Sequence, residues 1–198
     1  MKIKTSETEI KHLLIAWFAI ALAFTILLHR WYYNYNINLP SIFAISAVTV
    51  GLAFIFHELA HKVVAQRYGA WSEFRMAPFM LLVAVLTAFA GFIFAAPGAV
   101  MISKPYLTRA ESGKIAVAGP MTNVILAYLF FVLFSLANHD VVELTGKFGM
   151  LINAWLAVFN MIPFSVLDGR KVLAWDKGVY GVVLALAIAV LVVSMGMV

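Results

Sequence analysis

The chain contains no cysteine. That excludes a disulfide framework and any thiolate metal site, and leaves histidine and carboxylates as protein ligands. Charge is scarce too. Asp, Glu, Lys and Arg make up 12% of the 198 residues, against about a quarter in an ordinary soluble domain. No polar stretch is long enough for a separate soluble domain, and there is no internal repeat or low-complexity segment. Apolar residues are in excess, at 64%. This composition predicts a multi-pass membrane protein with room for five or six spans at ~20 residues each. A net charge of +5 would elsewhere suggest nucleic acid. Here the basic residues lie between apolar runs, where they orient a protein in a bilayer, so nucleic acid is not an expected partner.

The spans read as follows. Leu13 to Leu28 is the first apolar run. It is long for a signal-peptide core and no small-x-small site follows, so a retained span is expected. Trp31, Tyr32, Tyr33 and Tyr35 then form an interfacial group. Residues 41–65 are the second span. Residues 76–102 are apolar but broken by Pro78, Gly91, Pro97 and Gly98, and read partly as strand and turn near 92–102. Lys114 to Ala137, Phe148 to Val166 and Gly178 to Met197 complete the set. The expected fold is an all-α polytopic membrane protein of about five transmembrane helices. It carries a short re-entrant or β segment at 76–102, which would supply a sixth crossing if it were helical throughout.

The second span carries His57-Glu58-Leu59-Ala60-His61. Four residues apart on a helix, His57 and His61 face the same way and can share one Zn²⁺. Glu58 lies beside the first ligand, where it can act as general base on a water. Ionisable residues inside a span are costly to place there, which argues for function over a structural polar cluster.

A catalytic zinc usually takes three protein ligands and one water. His12, His29 and His139 lie at or beyond span ends, and Glu73, Glu111, Glu143 and Asp176 lie in polar connections. Asp168 stands apart, at the C-terminal edge of an apolar helix in Asn160-x-x-Pro163-x-x-x-Leu167-Asp168-Gly169. Pro163 is expected to bend that helix. An alternative for Asp168 is a helix-end pair with Arg170. His57 and Asp168 both come late in their helices, so they can meet only if the two helices run in the same direction. One crossing between them satisfies this, and two do not. The 76–102 run is therefore expected to enter the membrane region and return. The charges agree: five crossings place twelve of the fourteen Lys and Arg residues on the N-terminal side, and six divide them evenly. The positive-inside rule then puts the N-terminus and the metal site toward the cytoplasm.

At these residues the chain resembles the site-2 protease family of intramembrane zinc metalloproteases. Three motifs match in order: His57-Glu58-x-x-His61, Gly119-Pro120-x-x-Asn123, and the Asn160 to Gly169 pattern. They cover about residues 40–175. The resemblance implies His57, His61 and Asp168 as ligands of one Zn²⁺ per chain and Glu58 as catalytic base. It also implies membrane-associated strands after the first motif, and a transmembrane protein substrate in the cell membrane. The PDZ or CBS domain common in the family is absent, so a single membrane-embedded peptidase domain spanning 1–198 is expected. Asn123, Asn160, Pro163, Gly119 and Pro120 are candidates for substrate binding or support of the site. They serve equally well as packing and kink elements between helices.

Two further functions fit the same residues. A metal-ion transporter would need more ligands along a path across the membrane, and none lies deep in another span. A catalytically inactive relative that binds membrane proteins would have no use for Glu58.

Overall fold

The computed structural model describes residues 3–31, 37–94 and 96–197. Tyr32, Tyr33 and Tyr35 of the expected interfacial group lie outside them. Helix α1 (Glu7–Trp31) begins with Glu7 and Glu9 and ends with His29 and Arg30, charges that complement the helix dipole. Helix α2 (Leu39–Ser46) is capped by Asn38, whose side chain accepts from the Ser41 amide. It passes through a wide π turn at Ala47–Gly51 into α3 (Leu52–Arg67). The Ala47 carbonyl of that turn accepts from the Trp17 indole at 3.0 Å. Gly51 gives that ring its seat, since a Cβ there would lie 2.5 Å from it.

Strand β1 (Trp71–Met76) follows, then helix α4 (Pro78–Phe89) and strand β2 (Gly98–Ser103). The two strands pair antiparallel, with Trp71 opposite Ser103 and Met76 opposite Gly98. That last pair closes the excursion, because the chain returns to the point it left. Twelve residues of α4 span ~18 Å at ~1.5 Å per residue, short of the ~30 Å hydrocarbon core. The 76–102 run is thus a re-entrant helix ending in a strand. The sixth crossing is not made. Gly98 has φ +145°, and a Cβ on it would meet the Arg75 carbonyl.

Helix α5 (Arg109–Ser135) opens with a capping box between Thr108 and Glu111 and contains Pro120. Helix α6 runs from Asp140 to Asn160. This corrects the expected span of Phe148 to Val166 at both ends. Asp140 and Glu143 occupy the first turn of the helix, where the dipole favours them. Glu143 also pairs with Lys147 at 3.0 Å, so residues that read as loop form helix. At the other end α6 stops before Pro163, consistent with the restriction proline places on the residue before it. Pro163 therefore bends no helix; it lies in the turn that leads to α7 (Asp168–Trp175). Helix α8 (Lys177–Met195) closes the chain.

Among the described residues, five helical stretches are long and apolar enough to cross a membrane: Glu7–Arg30, Leu39–Arg67, Arg109–Ser135, Asp140–Asn160 and Lys177–Met195. Buried residues of α1 (Leu13, Ala16, Ile20, Leu28) pack with Ile42, Ile45, Val50, Phe74, Leu81 and Phe148. Helix α5 is antiparallel to both neighbours. Ile115 and Asn123 on α5 meet His61 and His57 on α3, and Gly146 and Gly149 on α6 seat Phe134 and Phe130. Helices α3 and α6 therefore run in the same direction, as the shared metal site requires.

Candidate metal centre

His57, Glu58 and His61 occupy one turn of α3, and all three are buried. Asp168 is buried as well and opens α7. The Nε2 atoms of His57 and His61 lie 3.0 Å apart. Asp168 Oδ2 stands 3.3 Å from the first and 3.1 Å from the second. These three residues can hold a metal ion, with their donor atoms all within 4.8 Å of one another. Asp168 turns to the imidazoles, and Arg170 donates instead to the Ser165 carbonyl at 3.3 Å.

The outer nitrogens decide what the inner ones can do. His61 Nδ1 faces the Ile115 carbonyl at 2.8 Å. A carbonyl only accepts, so Nδ1 carries the proton and Nε2 keeps its lone pair. Pro120, inside α5, has no N–H to offer the Ala116 carbonyl. For His57 the same result comes through two asparagines. Asn123 Nδ2 lies 3.3 Å from the Ala53 carbonyl, which fixes the amide so that Oδ1 faces His57 Nδ1 at 2.6 Å. Asn123 Nδ2 also donates to Asn153 Oδ1 at 3.0 Å, and Asn153 Nδ2 donates to the Gly149 carbonyl at 2.8 Å. Both Nε2 lone pairs thus point at a carboxylate oxygen with no proton assigned between them. Such a cluster calls for a cation, and two imidazoles with one carboxylate suit Zn²⁺.

Gly119 leaves the room. A Cβ on it would stand 2.5 Å from both Nε2 atoms. The Glu58 carboxylate accepts from the Val100 amide of β2 at 2.8 Å, so the edge of β2 turned away from β1 faces the site. The candidates divide accordingly. His57, Glu58, His61, Asp168, Gly119 and Asn123 come together, and Pro120 sits in α5 between the last two. Asn160 donates to the Leu156 carbonyl of its own helix, and Pro163 lies in the turn before Asp168. Asn153 was missed. Its one signal is that it is an amide in the middle of an apolar run, which in a membrane segment asks for a partner. Replacing Asn153 by Leu would free the Asn123 amide to turn, and zinc affinity measured by competition is expected to fall ~10-fold.

The profile of peptidase family M50 matches residues 45–143, half of the chain and both histidines of the α3 motif. The chain belongs to this family. A candidate zinc metalloprotease of Methanocaldococcus jannaschii is 46% identical over 180 residues, covering 90% of each chain. Another, from Bacillus subtilis, is 28% identical over 147 residues, covering 64% of this chain and 66% of the relative. No solved structure matches the chain. The site-2 protease resemblance and the M50 assignment agree, so the protein is a zinc metalloprotease relative with membrane-spanning helices.

Proposed function

We propose that the protein is an intramembrane zinc endopeptidase that hydrolyses peptide bonds in or near transmembrane segments of other membrane proteins. One observation carries this: two imidazole lone pairs and the Asp168 carboxylate converge within reach of a base, Glu58, that touches the edge of a strand. His57, His61 and Asp168 would hold one Zn²⁺ per chain. When bound, the ion supplies a Lewis acid that polarises the scissile carbonyl and acidifies water.

The chain's own residues do the rest. Asn123 and the Ile115 carbonyl hold the two imidazoles in the ligating tautomer. Glu58 accepts a proton from the attacking water as the new C–O bond forms. It returns that proton to the amine as the C–N bond breaks. A peptide bond in a regular helix is hydrogen-bonded and sterically covered, so the substrate must unwind first. The outer edge of β2 offers it a place as an added strand. The charge distribution supports a location in the cell membrane with the N-terminus and the site toward the cytoplasm.

The test uses purified protein in detergent with a panel of single-span substrates. Expected are one zinc per chain, cleavage that stops on chelation, and recovery on adding zinc back. Zinc without cleavage of any substrate would favour a metal-binding role in transport or substrate capture. No stoichiometric metal would sink the ligand assignment.

A further inference from the structure

Glu9 is an acidic residue near the start of α1, and it is fully buried. So is Lys62, which follows the second histidine of the α3 motif. The two side chains pair with each other, and Lys62 also donates to Thr5 Oγ1 at 3.0 Å. The other oxygen of Glu9 accepts from the Phe74 amide at 3.0 Å. Phe74 stands opposite Val100 in the β1–β2 ribbon, and the Val100 amide is the one that holds Glu58. In an antiparallel ladder, the amides of a non-hydrogen-bonded pair point outward on opposite edges. The ribbon is therefore gripped at a single cross-strand pair by two glutamates, one from α1 and one from α3. The same α1 glutamate is tied back to α3 through Lys62.

We propose that Glu9 is a positioning residue: with Lys62 as its buried counter-charge, its carboxylate holds the ribbon at the Phe74 amide, and so fixes where the Val100 amide holds the Glu58 carboxylate. Removing one member of a buried pair strands the other charge, so single neutral variants would confound folding with position. Two double variants separate them. Both E9Q/K62M and E9L/K62M remove the buried charges, but only the first keeps an oxygen for the Phe74 amide.

This inference rests on Glu58 acting as the base, so the experiment has two arms. The first is hydrogen exchange of the 98–103 segment in the metal-free full-length protein in detergent. The second is kcat and KM with zinc content. E9L/K62M is expected to bind zinc as the wild type does, to exchange faster at 98–103, and to lose ~10- to 100-fold in kcat, the scale of a small misplacement of a reacting group. E9Q/K62M is expected to exchange as the wild type does and to keep its kcat. Equal exchange in the two doubles would overturn the proposal, and so would faster exchange with unchanged kcat. Glu9→Asp keeps the charge opposite Lys62 while withdrawing the oxygen, and is expected to show the E9L/K62M signature if the doubles fail to fold. Wild-type exchange and kcat in Glu9→Asp would then overturn the proposal. If the wild type cleaves nothing, the proposed function fails by itself, and the exchange arm still decides whether Glu9 holds the ribbon.

Discussion

Gly119→Ala is expected to abolish stoichiometric zinc binding while leaving the helices folded. The added methyl carbon would lie 2.5 Å from the Nε2 atoms of both His57 and His61, well inside van der Waals contact. One imidazole must swing out or α5 must move away from α3. Either motion separates lone pairs that now converge on Asp168. The loss should exceed the ~10- to 100-fold typical of deleting a partner in the outer shell of a metal site, because the methyl takes the space where the ligands meet. Zinc per chain by elemental analysis, after dialysis against a competing chelator, reads the effect directly. Gly181→Ala on α8 is the control, since a Cβ there meets nothing within 4 Å. Full zinc occupancy in Gly119→Ala would mean that the ion sits elsewhere.

Glu58→Gln is the second large effect. Glutamine keeps the shape of the side chain and an oxygen for the Val100 amide, but it cannot take a proton from water. Cleavage is therefore expected to fall by roughly 10²- to 10⁴-fold, the usual worth of general base catalysis, with zinc content unchanged. A drop in zinc along with activity would assign Glu58 to binding instead. Wild-type turnover by the glutamine variant would remove it from the mechanism.

The membrane class, the spans and the ligand-bearing turn were legible because each rests on local pattern. Apolar runs announce spans, and a four-residue spacing puts His57 and His61 on one face. Asp168 stood out as a carboxylate at the edge of an apolar run, and it can meet His57 only if their two helices run in the same direction. The re-entrant nature of 76–102 followed from the same condition and from the placement of lysine and arginine. The boundaries of α6 were not legible. Asp140 and Glu143 look like loop residues until a helix dipole and Lys147 receive them.

The support of the site had to wait for the tertiary structure. The Ile115 carbonyl and the Val100 amide belong to the backbone, and every residue has such groups, so nothing in the sequence distinguishes these two. Asn153 acts only through Asn123, from a helix thirty residues on. Glu9 and Lys62 read as ordinary charges near the ends of their apolar runs, yet they lie buried against each other across 53 positions of chain. Residue type and helical spacing alone name the atoms that could hold a metal and act as a base. Only packing decided which proton each imidazole keeps and where the base is held, because both depend on acceptors and donors delivered from other elements.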